Sequence, residues 1–147
     1  MPTNTQTHHR IRCLLGMLGT DVHSKGIRTL ARWLRDEGIE VVYLGEHNTV
    51  EGMVNALVQE DADVIGLSFS SGGYLAYIEQ TAQLMQQRGV GDVAFMVGGQ
   101  IHPDDHGKLS ALGVSGIFGP GSSKDDVLDF VRKVATEQQL ARSSLPA

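Results

Sequence analysis

The chain has 147 residues, 41% of them hydrophobic, which suits one compact domain with a sizeable core and leaves no room for a second catalytic domain. A formal charge of −5, with acidic and basic residues interspersed, gives no electrostatic reason to expect nucleic acid or an anionic membrane as partner. No run approaches the roughly 18 to 20 apolar residues that span a bilayer, and the start MPTNTQTHHR lacks the apolar region of a signal peptide.

Short β-branched runs alternate with longer segments of helical period, and Gly, Asp or Asn marks most joins. The first strand is expected at Ile11 to Leu15, and its lone Cys13 reads as a buried small hydrophobe in a chain with no disulfide framework, so a reducing, cytoplasmic setting is expected. A helix follows at Lys25 to Glu37. Ile27, Leu30, Ala31 and Leu34 fall on one face, Arg28, Arg32 and Arg35 fall elsewhere, and Gly38 stops it. Next come a strand at Val41 to Leu44, a helix at Val50 to Glu60 capped by Thr49, a strand at Val64 to Ser68 and a helix at Tyr74 to Arg88. The remaining elements are a strand at Val93 to Val97, a helix at Pro103 to Leu112, a strand at Gly116 to Phe118 and a helix at Lys124 to Gln139 capped by Ser123. Residues 11–140 are thus read as one domain between flexible ends at 1–10 and 141–147. Strands apolar on both faces, alternating with helices, predict an α/β fold: a five-stranded, doubly wound parallel sheet of flavodoxin-like (Rossmann-like) type in three αβα layers.

Ligands of such sheets sit beyond the carboxyl ends of the strands, where strand order reverses. The loops at that rim are GTDVHSKG after the first strand, SFSSGG after the third, GGQIHPDD after the fourth and GPGSS after the fifth. Rich in Gly and Ser and poor in bulk, they imply a long groove in which an extended ligand lies against backbone. Three tenants of this architecture fit poorly. A receiver domain needs a phosphorylatable aspartate at the end of the third strand, where this chain has Ser68 to Ser71. A flavin site wants aromatic residues, which are 5% of the chain, and GMLGTDVHSKG is too loosely spaced for a dinucleotide fingerprint.

His23 follows Asp21 by two residues. Neutral imidazole ligates transition metals, and a carboxylate on its other ring nitrogen fixes the tautomer and raises basicity. The other histidines do not converge on it, so a metal here has to bring most of its ligands, as a corrin or haem does; the alternative is a solvated loop histidine beside a helix-capping Asp21. His102 and His106 have the spacing of a zinc pair but no third ligand nearby. His47 sits on the same rim, as a solvated loop residue or a contact for a cofactor edge or partner. Trp33 with Arg32 and Arg35 is either a half-buried aromatic under snorkelling arginines or a partner contact.

DVHSKG at 21–26 matches the DxHxxG signature of cobalamin-binding domains, and GLSFSSGG, VGGQIHPDD and IFGPGSS follow in register. Over about Ile11 to Val134 the chain resembles the cobalamin-binding small subunits, and fused C-terminal domains, of adenosylcobalamin-dependent acyl-CoA mutases. The resemblance implies that His23 is the lower axial cobalt ligand, replacing the cofactor's own dimethylbenzimidazole, with Asp21 as its hydrogen-bond partner and Ser24 and Gly26 beside the corrin. It further implies a slot for the displaced nucleotide tail at Ser68, Ser70, Gly73, Gly98, Gly99, Gly119, Gly121 and Ser122. No residue of this chain is expected to touch substrate. The implied activity is radical isomerisation of an acyl-CoA, performed with a larger (β/α)8-barrel subunit that binds the substrate. The usual mutase motif, KxGxDGHDRG, differs here: Met17 stands for its lysine, and Val22, Ser24 and Lys25 for its glycine, aspartate and arginine. His102 stands where proline is common. These departures leave open a corrinoid carrier or methyl-transfer protein without rearrangement chemistry, a glutamate-mutase-type small subunit, and a cobalamin-dependent sensor.

Overall fold

A computed structural model describes residues 10–19 and 23–143, with side chains as far as 141. The elements alternate strictly: β1 (Arg12–Gly16), α1 (Lys25–Asp36), β2 (Glu40–Tyr43), α2 (Val50–Glu60), β3 (Val64–Phe69), α3 (Tyr74–Gln87), β4 (Ala94–Gly99), α4 (His106–Ala111), β5 (Gly116–Phe118) and α5 (Lys124–Ser143). The five strands form one parallel sheet in the order β2-β1-β3-β4-β5. That is the flavodoxin-like order, with its switch point between β1 and β3.

Alternation along the buried strands feeds two cores. Leu14, Ile65, Leu67, Phe95 and Val97 pack with Met53, Ile78 and Leu109 of α2, α3 and α4. Cys13, Leu15, Val64, Ala94 and Met96 pack on the other face with Ile27, Ala31 and Leu34 of α1 and Val127, Leu128 and Val131 of α5. Cys13 is fully buried, and that burial, reinforced by nearby Asp63, pushes its thiol up to about 12. It is a core residue with no thiolate character at neutral pH.

The expected punctuation holds at most ends. Gly38 (φ 82) closes α1 in a Schellman arrangement: its N–H donates to Arg35 O, and Ile39 N–H donates to Leu34 O. Thr49 Oγ1 accepts from Gly52 N–H at 2.9 Å, and Ser123 and Asp126 exchange side-chain-to-backbone bonds at 3.1 and 3.0 Å. Other boundaries move. β4 runs two residues beyond Val97, because Gly98 and Gly99 keep their register with Ser68 and Phe69. The expected fourth helix is split: Pro103–Asp105 forms a 3-10 turn, capped by His102 Nδ1 accepting from Asp104 N–H at 3.1 Å, and α4 begins only at His106. α5 continues past Gln139 to Ser143.

Candidate functional site

The α1 and α5 side of the sheet opens into a cavity of about 1430 Å³ at the carboxyl ends of the strands. Its shape follows from register. On this face β3 presents Val64, Gly66 and Ser68, and β4 presents Ala94, Met96 and Gly98, with Gly66 beside Met96 and Ser68 beside Gly98. Gly66, Ser68 and Gly98 carry little or no side chain, so the layer that α1 and α5 cover lower down is left open toward the rim. α1 supplies one wall with Gly26, Thr29, Leu30 and Trp33, a stripe at i, i+3, i+4 and i+7 beside its core face of Ile27, Ala31 and Leu34. Phe118, Gly119, Pro120 and Ser122 close the β5 end, and Val127 of α5 lies below them.

His23 stands at the mouth. Its Nδ1 lies 2.9 Å from Ser70 Oγ in the loop after β3, so the loops following the two strands at the switch point meet through an imidazole and a hydroxyl. Either group can donate. When Nδ1–H donates to Ser70, the Nε2 lone pair can serve a metal; with the opposite tautomer it cannot. Asp21, the expected partner of His23, lies outside the described residues. Lys25, Arg28 and Arg32 also line the cavity, and no carboxylate does among the described residues. The chamber is therefore walled by apolar and small residues, edged by positive charge and headed by an imidazole. This suits a bulky, mostly uncharged group with an anionic link and a metal of its own.

Of the residues marked from sequence, His23, Ser24, Gly26, Ser68, Ser70, Gly98, Gly99, Gly119 and Ser122 line this cavity. Gly73 and Gly121 are exposed residues that do not line it, Gly73 (φ 87) serving as the N-cap of α3. Ser24 is the N-cap of α1 and is buried. Ser122 is tied into its turn, its Oγ accepting from Gly119 N–H at 3.1 Å. Gly99 answers a need of the sheet: at φ +102, a Cβ there would stand 2.0 Å from the Phe69 carbonyl oxygen, which also accepts from Gln100 N–H at 2.8 Å. Gly66, Met96 and, on the α1 wall, Thr29, Leu30 and Trp33 were not singled out as cofactor-site residues from sequence. An isolated glycine inside an apolar strand is the signal that marks Gly66.

The remaining candidates take structural places. Met17 is fully buried in the apolar cluster with α1 and α5. His102 caps the 3-10 turn, and no group of three His, Cys, Asp or Glu side chains suited to a metal occurs among the described residues. Tyr74 joins the start of α3 to the loop after β4, its hydroxyl donating to Asp105 Oδ2 at 2.5 Å and accepting from His102 N–H at 2.9 Å. The bond to Asp105 raises the Tyr74 pKa above the usual phenol value. No described helix is long and apolar enough to cross a membrane.

Residues 11–128 match the B12 binding domain family. The chain is 36% identical over 124 residues to the 2-hydroxyisobutanoyl-CoA mutase small subunit of Aquincola tertiaricarbonis, covering 84% of this chain and 91% of that one. It is 33% identical over 132 residues to the pivalyl-CoA mutase small subunit of Xanthobacter autotrophicus, covering 90% and 88%. Methylmalonyl-CoA mutase of Rhizobium meliloti is 32% identical over 126 residues, which are 86% of this chain but 17% of that protein. Among solved structures, a cobalamin-binding protein from Desulfitobacterium hafniense superposes with a TM-score of 0.74 at 17% identity, over 85% of this chain and 59% of that one, a likeness of fold. With a family match across most of its length and relatives of comparable size above 30% identity, the chain belongs to the B12-binding domain family.

Proposed function

We propose that this chain is the cobalamin-carrying subunit of a heteromeric adenosylcobalamin-dependent acyl-CoA mutase, working in the cytoplasm and holding its cofactor with the base detached and His23 on cobalt. The observation that carries the reading is the imidazole at the head of a cavity of about 1430 Å³, tethered through Nδ1 to Ser70. Bound there, the corrin would supply a cobalt–carbon bond whose cleavage starts radical rearrangement of a carbon skeleton. Everything else falls to the protein. With cobalt bound, Ser70 would accept a hydrogen bond from Nδ1–H and so keep Nε2 as the ligating nitrogen. Gly66, Ser68 and Gly98 leave depth for the nucleotide tail, Thr29, Leu30 and Trp33 flank it, and Lys25, Arg28 and Arg32 favour its phosphodiester. The methylmalonyl-CoA mutase relative carries the matching segment as 17% of its length, and the two relatives of similar size are named small subunits. The acyl-CoA site is accordingly assigned to a larger partner, a (β/α)8 barrel seated on the rim around His23.

A corrinoid carrier is the second reading, favoured by Met17: a fully buried thioether gives no charge near the metal-ligand loop where the mutase motif has lysine. Titration with adenosylcobalamin followed by visible absorbance tests the binding. The wild-type chain should show protein nitrogen on cobalt and His23→Ala should lose it with the fold intact. Retained nitrogen coordination in that variant would falsify the assignment. Isomerisation of a branched acyl-CoA on adding the larger subunit selects the mutase, and its absence selects the carrier.

A further inference from the structure

Beyond the ends of β1 and β2, the loops that follow them continue as a short parallel ladder. Met17 N–H donates to Gly45 O at 2.9 Å, Asn48 N–H to Met17 O at 3.0 Å and Gly19 N–H to Asn48 O at 3.0 Å, with Leu18 and Asn48 forming an isolated bridge. Asn48 Nδ2 pins both limbs by donating to Met17 O at 3.0 Å and Gly45 O at 2.9 Å. Within this ladder His47 adopts φ 63, a left-handed conformation that few residues other than Gly, Asn and Asp enter readily. Its Nδ1 lies 3.2 Å from the Gly19 carbonyl oxygen, which only accepts, so Nδ1 carries the proton. Nε2 faces the Glu46 carboxylate at 3.9 Å. Gly19 is also confined from α3, for a Cβ on it would stand 2.4 Å from the Tyr77 hydroxyl. Gly19 is the last described residue before His23.

We propose that His47 is a positioning residue for His23: by holding the Gly19 carbonyl, it fixes the departure of the segment that carries the cobalt ligand. This rests on the reading of His23 given above. The His47 side chain is 61% exposed, so the core does not depend on it. Glycine at 47 would take the same backbone conformation without strain; what the imidazole adds is the bond to Gly19.

Three variants of the full chain separate these contributions. His47→Asn keeps a donor on the γ branch and tolerates the left-handed region, His47→Gly keeps the backbone alone, and His47→Ala keeps neither. The readouts are visible absorbance of bound cobalamin, which reports imidazole on cobalt, and amide exchange at Gly19 in the ligand-free chain. His47→Gly and His47→Ala should weaken cobalamin retention about three- to tenfold, the worth of one hydrogen bond, lower the imidazole-coordinated fraction and speed Gly19 exchange. His47→Asn should restore all three. Wild-type affinity and spectrum in His47→Gly overturn the proposal, even where Gly19 exchange rises, because the bond is then merely local. Failure of the wild-type chain to bind cobalamin, or nitrogen coordination surviving in His23→Ala, removes the underlying reading of His23 as well; the two failures are told apart by the variant in which they occur.

Discussion

Gly26→Leu should move stability and binding in opposite directions. Gly26 is the second residue of α1 and lines the cavity, and a Cβ built on it meets nothing within 4 Å. Glycine costs a helix up to about 1 kcal/mol relative to a good helix former, so leucine should leave the ligand-free domain as stable as before or raise its melting point by roughly 2–4 °C. On the proposed reading, the same side chain intrudes on the space of the corrin beside His23. Overfilling a packed site costs about 1–3 kcal/mol, which corresponds to a loss of roughly 5- to 150-fold in affinity. Trp33 is the chain's single tryptophan and lines the same cavity, so quenching of its fluorescence on titration with cobalamin reports occupancy independently of the visible spectrum. A variant that binds as the wild type does, or one that melts well below it, refutes the placement of open ligand space at this helix turn.

Gly99→Ala should act through the fold. Its left-handed φ costs an alanine about 1–3 kcal/mol and the clash with the Phe69 carbonyl adds more, so urea denaturation should show a loss of at least roughly 3 kcal/mol. Tyr74→Phe removes a partner from both Asp105 and the His102 N–H. About 1–3 kcal/mol should disappear in the same assay, with binding to cobalamin largely kept. Glu37 is held below the usual carboxylate pKa by Arg132 and Lys124 of α5, at 3.1 and 3.4 Å. Its folded value lies below its unfolded one, so its contribution is complete above about pH 4.3 and fades as pH falls through the folded value. The stability difference between wild type and Glu37→Gln, followed by thermal melts across acidic pH, should therefore vanish at the acid end and shrink in high salt.

The order of elements was legible because each strand is apolar on both faces and each helix has a clear stripe. The errors fall where two local signals compete. Gly98 and Gly99 read as a turn after Val97, yet they extend β4, since a strand beside the switch point can continue in glycine when its neighbour's carbonyl comes that close. Pro103 read as a helix start, but the His102 ring caps a separate 3-10 turn first. Within the site, the rim residues were visible as small residues in loops. The wall was not: Thr29, Leu30 and Trp33 belong to a helix whose pattern assigns them no ligand, and only the cavity shared with Gly66 and Gly98 gives that stripe something to face. Ser70 was seen as part of the slot and turns out to stand at Nδ1 of His23, a long-range pairing that no spacing encodes.

Glycines crowd this rim for two physically different reasons, and separating them tells which belong to the ligand. At Gly99 and Gly19 a Cβ would strike Phe69 backbone or the Tyr77 hydroxyl with φ in the left-handed region, so the protein itself demands glycine whether or not anything binds. At Gly66 the nearest atoms a Cβ would meet are side-chain ones, the ends of Leu15 and Met96 at 2.7 and 2.9 Å and Met96 Cγ at 3.3 Å. At Gly26 and Gly119 it would meet nothing, and neither residue has a positive φ. A helix gains from replacing Gly26, and the open chain at Gly119 would lose little, so the domain's own stability gives no reason for glycine at either position. Both line the cavity headed by His23, so on the proposed reading glycine at these positions keeps room for what fills it.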